Sequence, residues 1–289
     1  MSLNLRYFGS KYFIANEIVS YMPSRFSNRR ESRYVEPLCG SCAVFLALEP
    51  RSAIINDLND NVFNFWEVIR TKPRQFTRRL KYTWCGDSWV KQLKTESEVS
   101  DVAKAVLFYV LSRGSFGGTQ SKNKELNHTS RPFRILKDID PIKAVFDRAD
   151  IAIWHLDFRK ALDKIIKFSE DERAEYCIYL DPPYIAQGHN YDTRFEQKDH
   201  DDLLEYCLEL RKHSNMILFL SYDKHPWVIE NYIKKNNFYY TTLKFCNNSR
   251  DSEKRSNYSE LLISNKPLKR YRNCGEGLSA FLESSNGSE

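Results

Sequence analysis

The run Asp181-Pro182-Pro183-Tyr184 directly follows an apolar stretch, Tyr176-Cys-Ile-Tyr-Leu180, and carries the most specific chemistry in the sequence. Two consecutive prolines lack amide hydrogens and are stiff, so a strand ending there cannot continue its ladder and its tip is fixed in space. A carboxylate at that tip, with the carbonyl of Pro182, can accept the two hydrogens of an amino group on an aromatic heterocycle. That draws the nitrogen towards tetrahedral geometry and frees a lone pair otherwise delocalised into the ring. Tyr184 then offers a flat face on which an extruded base can stack. Two further sites lie upstream. In Glu36-Pro-Leu-Cys-Gly-Ser-Cys42, Gly40 would let the backbone approach a ligand closely and Glu36 would hold a cationic group. Asp57, twenty-one residues beyond Glu36, stands at the spacing at which an acid ends a second strand and accepts hydrogen bonds from a ribose. Asp57 and Asp60 both precede a helical pattern, so a helix cap is the competing reading of Asp57.

These residues need a scaffold that gathers strand ends. Arg33-Tyr-Val-Glu-Pro-Leu38 reads as a buried strand and the residues from Ala43 as an apolar helix. Ala53-Ile-Ile-Asn-Asp57 reads as a second strand, followed by a helix around Asn61 to Ile69. The alternation resumes with a strand at Ile151 to Leu156, a helix at Ala161 to Lys167, the strand 176–180, a helix at Asp201 to Arg211 and a strand at Met216 to Leu220. A hairpin of Phe238 to Phe245 against Ser259 to Ser264 closes it. The predicted fold is therefore α/β: a doubly wound, mostly parallel sheet with a C-terminal antiparallel hairpin. Ligands of such sheets gather at the carboxyl ends of the strands. No G-x-G-x-x-G run is present, which disfavours a dinucleotide and favours a nucleoside ligand without phosphates.

Between 70 and 149 the alternation stops, and the sequence becomes basic and helical. It is read as an inserted target-recognition domain, separating 1–69 from 150–267 of the main domain, with 268–289 a loose tail. Residues 70 to 137 hold fifteen Lys and Arg against five Asp and Glu, a surplus of ten positive charges in a chain whose net charge is +6. The rest of the chain is thus net acidic, and the concentrated basic charge suits a polyanion. Arg74, Arg78, Arg79, Arg113, Lys122, Lys124, Arg131 and Arg134 are the candidate DNA contacts, with base reading assigned to the Gly-rich stretch from Arg113 to Arg134. Seven cysteines, an odd number, argue against a disulfide framework; Cys39 and Cys42 form the one CxxC pair, too few ligands for zinc, and no metal is expected. No apolar run reaches the length of a membrane span and the first residues lack a signal-peptide core, so a cytoplasmic protein is expected.

Taken together, the motifs resemble the DNA adenine N6-methyltransferases of the DNA adenine methylase type, from Tyr7 to about Asn265. The order is the same: Tyr7-Phe-Gly-Ser-Lys11, the Glu36-Pro loop, an insertion, then D-P-P-Y. The resemblance implies an S-adenosylmethionine-dependent enzyme of Rossmann-like fold. Tyr7, Lys11, Asp57 and Asp181 match positions that contact the cofactor, Glu36 and Gly40 match its methionine-binding loop, and Asp157 and Phe158 match the adenine-proximal segment. Asp181, Pro182, Pro183 and Tyr184 match the catalytic motif. Asn257 to Asn265 is similar to the closing hairpin. Two positions depart from the pattern: Cys42 stands where a second glycine is usual, and Tyr7 where an indole is common.

The expected activity is methyl transfer to N6 of adenine in double-stranded DNA, on a base flipped out of a short recognition sequence, with a restriction endonuclease as a genetic partner. Adenine in RNA, cytosine N4 in DNA, and a catalytically silent nucleic-acid-binding subunit remain open at this stage. A protein glutamine substrate is disfavoured, because the enzymes that methylate it resemble this chain but carry Asn at the position of Asp181.

Overall fold

A computed structural model of the chain describes residues 9–83, 100–114, 136–171, 173–185, 195–246 and 257–271. Its frame is a seven-stranded sheet of β1 (Ser32–Glu36), β2 (Ser52–Asn56), β3 (Asp150–Trp154), β4 (Glu175–Leu180), β5 (Met216–Tyr222), β6 (Tyr239–Cys246) and β7 (Asn257–Ser264). The order across the sheet is β3-β2-β1-β4-β5-β7-β6, parallel from β3 to β5, with β7 antiparallel to both β5 and β6. From β1 the chain winds outward through β2 and β3, then returns to β4 on the other side. The reversal of strand order therefore falls between β1 and β4, where a doubly wound sheet opens a crevice at its carboxyl edge. Glu36 ends β1 and Asp181 follows β4 at that crevice.

Both faces of the sheet are covered. Tyr34, Ala53, Ile55, Cys177, Tyr179 and Phe219 point into one apolar cluster, while Val35, Ile54, Tyr176, Ile178, Leu180, Leu218 and Leu220 point into another. This two-residue alternation between two dry layers is why the strands read as continuous apolar runs rather than alternating ones. The second layer is built on α8 (Phe158–Asp171) and α9 (Gln197–Leu210), and on Pro226–Val228 continuing as a π-helix over Ile229–Lys235. The first is built on α1 (Ala15–Ser20), α3 (Ala43–Leu48) and α4 (Asp60–Thr71); α2 (Arg25–Asn28) adds Phe26 to it.

The segment expected as an insertion contributes α5 (Pro73–Thr83), α6 (Asp101–Gly114) and α7 (Leu136–Arg148). Phe76 and Leu80 of α5, Val106 and Tyr109 of α6, and Ile142 and Phe146 of α7 enter the same cluster as Phe45 and Trp66. These helices are basic outside and apolar inside, and they thicken the main core. Other expected bounds shift for visible reasons. β3 stops at Trp154 rather than Leu156, because the Leu156 backbone pairs with the Asn56 side chain in both directions, at 2.9 Å each. α9 starts at Gln197, where the amide of Glu196 donates to Asp199 Oδ2 at 2.6 Å. Beyond β7 the chain does not leave at once: Tyr271 N donates to Ser20 O at 2.7 Å and Arg270 pairs with Glu17 at 3.0 Å, so residues up to 271 dock on α1. The remainder of the expected tail lies outside the described residues.

Candidate active site

The loop from Pro37 to Cys42 joins β1 to α3 and is held from every side. Asn56 Nδ2 donates to Pro37 O at 2.8 Å and Cys39 N to Asn56 O at 2.9 Å, which ties the exits of β1 and β2 together. Gly40 N donates to Asp57 Oδ2 at 2.8 Å, and Gly40 O accepts from Trp66 Nε1 at 2.9 Å. Ser41 Oγ meets Ser10 Oγ at 2.9 Å. Gly40 has φ 44° and Cys42 has φ 51°, both left-handed. That region suits glycine and strains a residue with a Cβ, so Cys42 occupies a glycine-type position in conformation as well as in sequence. Asp57 is not the cap of α4: Asn59 is, accepting from Asn61 N and Val62 N, while Asp57 Oδ1 accepts from Asn59 N at 2.9 Å. Asp57 is thereby fixed between two backbone amides, and burial raises its pKa.

A cavity at this edge is lined by residues 9–11, by Glu36, by the loop from Leu38 to Ser41, by Ala43, Val44 and Asp57, and by Asp181 and Pro183. Glu36 is 2% exposed; its Oε2 accepts from Tyr34 Oη at 2.8 Å and from Phe45 N at 3.2 Å. The second bond satisfies a free amide of the first turn of α3, so the acid that faces the cavity also anchors the helix. Burial pushes the Glu36 carboxyl up to about 8, against the Tyr34 hydrogen bond. Asp181 Oδ1 lies 2.7 Å from Lys11 Nζ, which also donates to Gly9 O at 2.9 Å. Burial raises Asp181 to about 6, Lys11 opposes that shift and Glu260 adds to it. Burial by itself lowers the Lys11 pKa, but Asp181 and Glu260 outweigh it and the ammonium persists. Lys11 Nζ also sits 4.8 Å above the ring of Tyr184, which packs 5.9 Å from the ring of Tyr222 and whose hydroxyl faces Glu260. One ammonium thus stands among three carboxyl groups; burial opposes the ionisation of Glu36 and Asp181, and a cationic guest would favour their charged forms.

Residues 7–257 match the D12 class N6 adenine-specific DNA methyltransferases. The chain belongs to that family. Among its relatives, the retron Ec67 DNA adenine methylase of Escherichia coli is 26% identical over 239 residues, 80% of this chain and 77% of that protein. The type II methyltransferase M1.LlaDCHI of Lactococcus lactis subsp. cremoris is 23% identical over 91% of this chain and 96% of its own. A DNA adenine methylase of Vibrio cholerae is 24% identical over 62% and 64%. Family and relatives together select adenine N6 in DNA from the alternatives that the motifs left open. This methyltransferase carries the D-P-P-Y turn at the switch point of its sheet.

The other site residues expected from sequence are distributed unevenly. Lys11, Glu36, Gly40, Asp57, Asp181 and Pro183 line one cavity, with Pro182 buried between the last two and Tyr184 8% exposed behind Lys11. Asp157 and Phe158 do not line it. Asp157 Oδ1 accepts from Arg159 N at 2.9 Å at the start of α8, and Phe158 is core, 5.6 Å from Phe195. Arg74, Arg78 and Arg79 are exposed on α5. Arg113 lies in α6, whereas Tyr7, Lys122, Lys124, Arg131 and Arg134 fall outside the described residues. Cys39 and Cys42 are buried; burial pushes Cys39 up to about 11 and Cys42 well above its ordinary value, which makes both poor thiolates. Two contributors escaped the sequence reading. Trp66 looked like one more apolar residue of a helix, though only its indole reaches Gly40 O. Glu260 stood inside a strand pattern; its signal was a lone acid beside the apolar run Leu261-Leu-Ile263.

Proposed function

We propose that the cavity holds S-adenosylmethionine and that Asp181 receives the amino group of an adenine turned out of duplex DNA. The cofactor supplies an electrophilic methyl group on a positively charged sulfur. The cavity suits it on three counts. Its acids, Glu36, Asp57 and Asp181, outnumber the one buried lysine, as a ligand with sulfonium and ammonium groups requires. Gly40, without a Cβ, leaves the loop backbone open to a close ligand, and the sequence has no G-x-G-x-x-G run to cradle a pyrophosphate. Asp57, already positioned by Gly40 N and Asn59 N, retains lone pairs for ribose hydroxyls.

The observation that carries the catalytic part is the placement of Asp181, past a proline-terminated strand and beside the cavity wall, with an ionisable carboxylate near neutral pH. There the carboxylate and the Pro182 carbonyl accept the two amine hydrogens, and the rigid turn holds them in register, so rate comes mainly from orientation and electrostatics. The proton released on methylation passes to Asp181. Tyr184 offers its ring to the extruded base, Tyr7 extends the cofactor contacts, and the basic residues of 70–149 read and hold the duplex. A restriction endonuclease as genetic partner is supported by the name of the Lactococcus relative. Asp181→Ala is expected to abolish transfer of labelled methyl groups to adenine-containing duplexes while sparing DNA binding, because the carboxylate acts on the amine and not on phosphates. Near-normal turnover in that variant would refute the assignment.

A further inference from the structure

The amine needs Asp181, and the base needs the face of Tyr184, yet Lys11 occupies both. Its Nζ lies 2.7 Å from Asp181 Oδ1 and 4.8 Å over the Tyr184 ring. The ammonium takes one of the two Asp181 oxygens and a face of the Tyr184 ring, so substrate competes with it there, and a buried ammonium gives way only where another anion can receive it. Glu260 is that anion. It sits on β7 one residue before Leu261, which pairs with Tyr222 of β5, so it flanks the strand next to β4 at the same edge as Asp181. Its side chain is 14% exposed, its Oε2 is shut off from solvent beside the Tyr184 hydroxyl, and that oxygen lies 3.8 Å from Lys11 Nζ. This is within ion-pair reach but beyond hydrogen-bond length. With at most the Tyr184 hydroxyl beside it, that carboxylate is incompletely paired, and an ammonium moved into contact would complete it.

Resting on the reading of Asp181 as the amine acceptor, we propose that Glu260 is the second seat of the Lys11 ammonium, a positioning residue that takes Lys11 when adenine docks and so frees both the Asp181 oxygen and the Tyr184 ring. The shift needed is about 1 Å, the gap between the present separation and an ordinary charge-assisted hydrogen bond. No bond forms or breaks in this step, and the charge of the cluster is unchanged. The groups that face it are Lys11 from the N-terminal segment, Glu36 from β1, Tyr179, Asp181 and Tyr184 from β4 and its exit, and Asp223 after β5.

A double-mutant cycle between Glu260→Gln and Lys11→Met, read in single-turnover methylation of duplex DNA across pH, tests the proposal. Glu260→Gln alone is expected to slow transfer about tenfold at neutral pH, the size of coupling common between contacting charged groups. It should also move the acid limb of the rate to lower pH, because Glu260 raises the Asp181 pKa. Glu260→Asp keeps the charge and should retain most of the rate. In the Lys11→Met background, Glu260→Gln should slow transfer no further. An equal slowing with and without Lys11, an unchanged rate, or a loss confined to cofactor affinity would each overturn the proposal. A wild-type chain that methylates no DNA would overturn the reading of Asp181 and this one together, whereas normal methylation with no coupling overturns this one alone.

Discussion

In the proposed role Asp181 works as a carboxylate that accepts hydrogens from an amine, and its neighbours set the pH at which it is one. Its pKa is raised to about 6, by burial first and Glu260 second, with Lys11 pulling the other way. Methyl transfer should therefore be complete above that value and fall as the pH drops through about 6. Lys11→Met removes the opposing charge, so the residual rate should show its acid limb at higher pH; single-turnover rates across pH check both, and a limb that moves down would contradict the pairing. Cys42 gives a second residue-scale expectation. Its left-handed backbone costs about 1 kcal/mol for any residue with a Cβ. Cys42→Gly relieves that strain while forfeiting the packing of a buried thiol, so denaturant unfolding should change by less than about 1 kcal/mol. Cys42→Val, bulkier at the same φ, should destabilise clearly. Loss of folding in the glycine variant would mean that the thiol does more than fill space.

Trp66 shows how an element far from the chemistry sets the shape of the site. α4 packs Val62, Phe65 and Ile69 into the core, with the Phe65 ring against Phe76, Phe108 and Tyr109, and that packing delivers the Trp66 indole N–H to Gly40 O. Trp66→Phe keeps an aromatic core residue and removes the donor, leaving a partly buried carbonyl unpaired at a cost of about 1–3 kcal/mol. The loop should loosen, and cofactor affinity, measured by calorimetry, should fall more than the DNA affinity does. Unchanged cofactor affinity would free α4 of that role. The strands were legible in sequence because both faces of a parallel sheet are apolar, and the D-P-P-Y turn because prolines mark an exit. The strand exits then pointed to Glu36, Gly40, Asp57 and Asp181 at one edge, and the family resemblance added Lys11. What stayed illegible depends on distance across the fold: that Asn59 and not Asp57 caps α4, that Glu36 holds the Phe45 amide, and that Glu260 comes round on an antiparallel strand to face Lys11. Such pairings are set by register and crossover, which local periodicity does not encode. The apolar faces of α5 to α7 went unread for a different reason, since their charge dominated the composition.

At the scale of the molecule, the two halves of the reaction make opposite electrostatic demands. The cavity is acidic, with Glu36, Asp57 and Asp181 on its wall and Glu260 beside it, which favours a cationic cofactor and repels phosphate. Attraction for the duplex must come from elsewhere, and residues 70 to 137 carry the surplus of positive charge. The inner faces of α5 to α7 are spent on the core, leaving Arg74, Arg78, Arg79 and Lys81 exposed along α5. If these arginines neutralise phosphates, affinity should fall steeply as salt rises, through loss of the entropy of released counterions. Removing one true contact, as in Arg74→Ala or Arg78→Ala, should lower the log–log salt slope by about 0.9 and weaken every duplex alike. A residue that reads a base edge behaves differently: its loss should cost about 1–3 kcal/mol of discrimination at one position and spare nonspecific binding. Titrating specific and scrambled duplexes at several salt concentrations separates the two. Charge reversal at Arg74 and Arg78 that leaves affinity and salt slope unchanged would reduce α5 to a packing element, and the duplex would then have to be held by basic residues elsewhere in the chain.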